Sequence, residues 1–329
     1  MAKYLLLILL VFVIAAGYLA YDVHRYVNNP VSQVDENIDV TIQRGATFTA
    51  ISEQLKQAGL ISKPLYFKLL AKIEEKTQLV KTGEYSFNTQ STPSEILDDL
   101  VKGNTKQYKL TVIEGKRFSD FLSLLNNNEK IIHTIQDDTQ VKQALGITKD
   151  SLEGLFLPET YTFSAGIRDI EILKQSYHLL RDYLDEEWPK RSEDSFVKTP
   201  YEALILASIV EKETSAPEER ARIAGVFISR LKINMPLQTD PTVIYGIGDQ
   251  FDGNLTRKHL QTDTPYNTYM RRGLPPSPIC LMGKESIRAV LHPQITGELY
   301  FVSKKDGTHY FSRTYEEHAN AVRKYQLGQ

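Results

Sequence analysis

Two glutamates, Glu211 and Glu213, close the stretch Ala207-Ser208-Ile209-Val210-Glu211-Lys212-Glu213-Thr214-Ser215, after a run from Ala203 to Val210 that carries no charge. The run is apolar on every side, the pattern of a helix enclosed by protein rather than laid on a surface. Its end therefore opens into packed structure or a cleft. A carboxyl group there loses hydration, which penalises the ionised form and raises the pKa toward the range in which a general acid works near neutral pH. Residues two apart on a helix point about 200° away from each other, so the two glutamates cannot face one ligand together. One is chemical and the other structural, unless both are ordinary helix-end residues paired with Arg220 or Arg222, the commoner fate of charged side chains.

Other chemistries find little support. The seven histidines, His24, His133, His178, His259, His292, His309 and His318, show no short ligand spacing, so neither a metal nor any other cofactor is expected. Ser208 lacks the Gly-x-Ser-x-Gly setting of a serine hydrolase, and no phosphate-binding glycine loop occurs. A net charge of -2 without a basic stripe excludes nucleic acid as a natural partner. Cys280 is the lone cysteine; it cannot form an intramolecular disulfide and reads as a buried small hydrophobe. The 18 tyrosines beside one tryptophan offer faces and hydroxyls suited to sugars, and equally to ordinary packing.

Three polar, Gly- and Pro-rich loops follow the glutamates: Leu237-Gln238-Thr239-Asp240-Pro241-Thr242-Val243-Ile244-Tyr245-Gly246, Thr264-Pro265-Tyr266-Asn267-Thr268-Tyr269 and Gly273-Leu274-Pro275-Pro276-Ser277-Pro278-Ile279. With Glu211-Lys212-Glu213 they resemble, in order and spacing, the MltG (YceG-like) family of membrane-anchored endolytic murein transglycosylases, a likeness that runs from about residue 40 onward. The resemblance implies one catalytic acid, Glu213, with Glu211 as second choice. Lytic transglycosylases in general place that Glu directly before Ser or Thr near a helix end, and Glu213 precedes Thr214-Ser215. Cleaving a glycosidic bond needs a proton for the leaving oxygen and something to meet the oxocarbenium-like centre, commonly a second carboxylate. A lytic transglycosylase manages with one, because the primary hydroxyl of N-acetylmuramic acid attacks and closes a 1,6-anhydro ring without water. Substrate-positioning groups are then expected from Gln238, Thr239, Asp240, Tyr266, Asn267 and Tyr269. Glu159, in the family-like stretch Leu152 to Phe163, is a further candidate.

The elements that must carry these groups give an α+β fold: an N-terminal transmembrane helix, a small α/β subdomain and a larger mixed α+β catalytic domain. After Met1-Ala2-Lys3, eighteen residues from Tyr4 to Tyr21 carry no charge. As a helix they reach roughly 27 Å, and Tyr18 and Tyr21 suit the interface, so residues 1–22 read as an uncleaved single-pass anchor. Residues 23–38 have linker composition, with Asn29-Pro30 among scattered acids. Residues 39–105 form the subdomain: Val40-Thr41-Ile42 alternates like a strand, Gly45 turns, and Phe48, Ile51 and Leu55 follow at helical spacing. This strand-turn-helix unit recurs at Leu110 to Leu125, within a second unit and connection over residues 106–150. Between the copies, Thr92-Pro93-Ser94-Glu95 is a helix start with a capping box. The subdomain resembles the LysM-like part of the same family, and LysM modules bind murein glycan. Residues 151–329 form the catalytic domain.

The resemblance further implies a bacterial cytoplasmic-membrane protein whose catalytic domain lies on the outer side. Its partners would be peptidoglycan glycan strands, the membrane itself and peptidoglycan synthases (penicillin-binding proteins), and it would act in terminating glycan elongation on nascent strands. Two other readings stand beside it. One is a non-catalytic murein-binding scaffold for wall synthesis or division proteins; the other is a water-using murein hydrolase with Asp240 as its second carboxylate.

Overall fold

The computed structural model describes residues 2–32 and 34–329. Helix α1 (Ala2–Val27) contains one segment, Lys3–Val27, that is long and apolar enough to cross a membrane, with a mean hydropathy of 2.5 over its most apolar window. The helix continues through residues whose composition suggests a linker. Nothing breaks it before Asn28-Asn29-Pro30, and Val23, Tyr26 and Val27 pack at helical spacing on the core formed by the residues that follow. Asn28 Nδ2 donates to the His24 carbonyl at 2.8 Å and closes the last turn. Lys63 Nζ and the Tyr66 hydroxyl both donate to Asp22 at 2.9 Å, so the helix end is docked rather than loosely tethered.

The chain divides into two compact units. The first comprises residues up to Lys109 with Thr162–Gly166, and the second Leu110–Tyr161 with Ile167–Gln329. In the first, β1 (Asn37–Ile42) leads to α2 (Phe48–Gln57) and α3 (Pro64–Ile73). Next come β2 (Gly83–Asn88), α4 (Pro93–Lys102) and β3 (Gln107–Thr111). β1 and β2 pair antiparallel from Asn37 opposite Asn88 to Ile42 opposite Gly83. The alternation of β1 turns Val40 and Ile42 inward onto Leu55, Phe67, Tyr85 and Ile96, all buried. Thr92 and Glu95 form the capping box that their spacing predicts.

The second copy of the strand-turn-helix unit is β3 followed by α5 (Phe118–Asn126). Gly45 and Gly115 take φ of 84° and 76° at the two corresponding turns, a conformation that glycine adopts without strain. Then follow β4 (Ile131–Ile132), α6 (Asp138–Leu145), β5 (Thr160–Ser164), β6 (Ile167–Arg168) and α7 (Asp169–Glu187). β3 pairs with β5 and β4 with β6. The remaining helices are α8 (Pro200–Glu213), α9 (Arg220–Lys232), α10 (Asp240–Ile247), α11 (Arg257–Gln261) and α12 (Lys284–Leu291). The antiparallel hairpin β7 (Tyr300–Ser303) and β8 (His309–Ser312) precedes α13 (Tyr315–Val322).

α8 is the centre of the second unit. Every residue from Ala203 to Val210 is buried, with α12 and α9 packed on it. Ser208, on the same helix, accepts from the Ile279 N–H at 3.0 Å and donates to the Ile205 carbonyl at 2.7 Å. Cys280 is fully buried, and burial pushes its thiol well above the usual range.

α9 meets the segment after α12 at a glycine. A Cβ on Gly225 would lie 2.0 Å from the Gln294 carbonyl oxygen, and Gln294 is itself tied to α9 by its N–H to the Ala221 carbonyl at 2.9 Å. Alanine would gain about 1 kcal/mol of helix propensity. Parting two hydrogen-bonded backbones costs more, so Gly225→Ala should lose about 2 kcal/mol of net stability. Denaturant unfolding of the full chain measures this; a midpoint equal to wild type would contradict it.

Candidate active site

α8 begins at the N-cap Thr199, which accepts from the Glu202 N–H, with Pro200 in the first turn, and it ends at Glu213 with Thr214 as C-cap. Glu211 and Glu213 diverge from this end as helix geometry requires. Glu211 turns toward α12, where it accepts from the Ser286 hydroxyl at 2.6 Å and the Gly283 N–H at 3.2 Å, with Arg220 at 3.8 Å. Its side chain is 7% exposed, so Glu211 is a buried strut between helices.

Glu213 faces a different set of elements. The Thr239 hydroxyl, from the residue that caps α10, donates to its Oε1. Among the described residues no hydrogen bond reaches Oε2, which leaves that oxygen to the adjoining cleft. Burial is the main cause that pushes the Glu213 carboxyl up to about 7; the charge of Asp240 adds to it, while the Thr239 hydroxyl, His309 and Arg230 hold it down. A carboxyl poised there is present both as acid and as carboxylate near neutral pH, so it can give a proton and afterwards take one back.

The cleft encloses about 320 Å³ and is lined by Glu213, Phe227, Arg230, Leu237, Gln238, Asp240, Tyr269, Tyr300, Phe301, Tyr315 and His318. Of the residues singled out in the sequence, Gln238, Asp240 and Tyr269 line it with Glu213, and Thr239 bonds Glu213 from behind. Gln238 holds a left-handed φ of 49°, and its N–H donates to the Thr268 carbonyl at 3.1 Å, strain of the kind that collects around binding sites. The Tyr269 hydroxyl donates to Asp240 Oδ1 at 2.6 Å.

Three other candidates sit elsewhere. Tyr266 meets Ser277 through its hydroxyl at 2.7 Å and Tyr245 through its ring. Asn267 is buried, and its amide spends its protons on the carbonyls of His259, Leu260 and Thr262, which makes it a loop staple. Glu159 is exposed beside β5, with Oε1 accepting from the Thr160 N–H.

Sequence reasoning also missed groups. Arg230, Tyr300, Tyr315 and His318 come from α9 and the C-terminal hairpin and helix, where aromatic strand residues read as core. A second buried acid is Glu153, 6% exposed and pushed up to about 7 by burial. Both its oxygens are occupied, by the Phe118 N–H at 2.9 Å and the Tyr245 hydroxyl at 3.4 Å. It lines a separate cavity of about 520 Å³ with Arg117, Tyr245 and Asp249. The difference between the two acids is the free Oε2 of Glu213.

A carboxyl raised to about 7, with one oxygen open to a cleft walled by tyrosines, has the chemistry to give a proton to a bound ligand and to take one back. The family model described as the YceG-like family matches residues 40–324, and the chain belongs to that family. It is 32% identical over 312 residues to the endolytic murein transglycosylase of Bacillus subtilis (strain 168), covering 88% of this chain and 84% of that protein. It is 28% identical over 356 residues to the endolytic murein transglycosylase of Streptococcus pneumoniae (serotype 2, strain D39), covering 96% of this chain and 63% of that protein's length. The crystal structure of a YceG-like protein from Listeria monocytogenes superposes with a TM-score of 0.50 at 30% identity, covering 88% of this chain and 100% of that one.

Proposed function

We propose that this chain is an endolytic murein transglycosylase that cuts between N-acetylmuramic acid and N-acetylglucosamine, with Glu213 as its single acid and base. The observation that carries the reading is the open Oε2 of a carboxyl raised to about 7 beside a cleft, with Oε1 fixed by Thr239. The protonated Oε2 gives its proton to the glycosidic oxygen as the bond to the sugar breaks. The resulting carboxylate then takes the proton of the muramic acid's primary hydroxyl as that oxygen closes the anhydro ring. Atoms balance without water, and Glu213 ends protonated for the next cut.

In this reading α1 anchors the protein in the cytoplasmic membrane with the residues after it on the outer side, and residues 39–105 are a LysM-like module that holds the same glycan. Cutting nascent strands there would end their elongation, beside peptidoglycan synthases as partners. Full chain in detergent, incubated with purified murein, should release fragments with anhydro-muramic ends.

Asp240 favours a second reading, a hydrolase, because it is another carboxyl lining the cleft. The two readings part on Asp240→Asn. The charge of Asp240 raises the Glu213 pKa, so its removal should move the alkaline limb of kcat/KM down by up to about one pH unit while leaving kcat within about tenfold. A base lost from a hydrolase would instead cost about 10²–10⁴ in kcat.

A further inference from the structure

The wall of the cleft built from α9, β7 and α13 neither gives nor takes a proton in the steps above. Its centre is Tyr300. The His318 ring stacks on it with centroids 5.2 Å apart and an interplanar angle of 21°, the Arg230 guanidinium lies 5.2 Å from its centroid, and Tyr315 meets its edge at 6.1 Å. All four residues line the cleft that holds Glu213.

We propose that the Arg230, Tyr300 and His318 stack is a subsite for an amide carbonyl of the murein strand, with His318 donating from a neutral Nε2–H. His318 Nδ1 is buried with no hydrogen-bond partner. A proton there would be a stranded donor, whereas a bare lone pair is less costly to bury, so the single imidazole proton belongs on Nε2. Burial first, and Arg230 second, hold the His318 pKa below its ordinary value, so the ring stays neutral. The nitrogen left for the cleft is then an N–H donor of fixed sense.

Arg230 is 7% exposed and fixed by its own bonds, Nε to the Leu299 carbonyl at 2.6 Å and Nη1 to the carbonyls of Leu237 at 2.7 Å and Pro236 at 3.3 Å. The two nitrogen-bearing members of this wall, Arg230 and His318, donate and do not accept, and the hydroxyls of Tyr300 and Tyr315 can donate as well. Such a wall suits a group that only accepts, while the charge of Asp240 in the same cleft disfavours an anion. Among the neutral acceptors of murein that carry no proton, the amide carbonyl is the strongest, ahead of the ether oxygens of the sugars. Murein carries it on two parts of the strand, the acetamido groups of the sugars and the stem, beginning with the amide that joins the peptide to muramic acid.

The inference rests on the reading of the Glu213 cleft, and the test separates the two. Full chain in detergent is assayed for anhydro-end release as wild type, Glu213→Gln, His318→Phe and His318→Gln, on intact strands, strands freed of stem peptides and strands chemically de-N-acetylated. His318→Phe keeps a stacking ring without a donor; it should lose about 10–100-fold in kcat/KM on intact strands, mostly through KM. His318→Gln, with an amide N–H near the place of Nε2, should recover to within a few-fold of wild type. On the substrate that lacks the bound amide, the His318→Phe penalty should vanish, which names the acetamido group or the stem amide as the source. The inference is overturned by a His318→Phe variant at wild-type level, by equal losses in Phe and Gln, or by an undiminished penalty on both stripped substrates. A Glu213→Gln variant that stays active removes the cleft reading and this inference with it; an inactive one beside a fully active His318→Phe removes only this inference.

Discussion

Glu213→Gln should abolish the release of anhydro-muropeptides, lowering kcat by at least about 10³-fold, because the amide can neither deliver a proton to the glycosidic oxygen nor take one from the attacking hydroxyl. The same variant should fold, and its stability should depart from wild type in a direction set by pH. The folded protein holds this carboxyl at about 7, above its ordinary value near 4.5. The unfolded chain therefore loses the proton first as pH rises. Any stability tied to the protonated form is fully present below about pH 4.5, declines between there and pH 7, and is gone above. At about 1.4 kcal/mol per pKa unit the loss reaches at most about 3.5 kcal/mol. Glutamine carries no charge to desolvate, so the variant should match wild type near pH 5 and unfold at higher temperature near pH 8. Paired thermal melts at the two pH values check this. A variant less stable than wild type at both would mean that the Glu213 carboxyl supports the fold rather than straining it.

Thr239→Val should lower kcat about 10²-fold with little change in the melting temperature. The Thr239 hydroxyl fixes Oε1 of Glu213 and so directs Oε2 into the cleft, and a loosely held acid loses about that much through misplacement. The pH profile should move as well. A hydrogen bond donated to a carboxyl favours its ionised form, so removing it raises the Glu213 pKa and shifts the alkaline limb of kcat/KM upward. Asp240→Asn moves the same limb downward. Two neighbouring substitutions that displace one limb in opposite directions would identify Glu213 as the titrating acid; a limb unmoved by both would assign it to another group.

The parts of the fold that could be read from sequence are those where one local pattern decides the outcome. The uncharged run Ala203 to Val210 could only be an enclosed helix, and all eight residues are buried. The apolar α1, the capping box at Thr92 and Glu95 and the hairpin ahead of α13 are equally local. The end of α1 was less legible, because composition marks residues 23–27 as linker while burial of Val23, Tyr26 and Val27 extends the helix. The candidate site was legible on one side only. Thr239 and Asp240 lie close behind Glu213 in a recognisable loop, whereas His318 stands 105 residues beyond it, on a terminal helix whose histidine fits no motif. Asn267 shows the converse error: an exposed-looking amide in a loop is spent on the backbone, its NH2 on three carbonyls and its oxygen on the Tyr269 N–H. No pattern in the chain tells a sugar-facing amide from a loop staple, since the difference lies in tertiary contacts.

The most direct test of the central claim, one acid and no water, is mass spectrometry of murein cut by the full chain in detergent in isotope-labelled water. A one-acid transglycosylase should give anhydro-muramic ends that are unlabelled and lighter than reducing ends by one water, and they should disappear with Glu213→Gln. Fragments with reducing ends that carry the label would contradict the account, because water would then be the nucleophile and a second group, Asp240 first among them, its base.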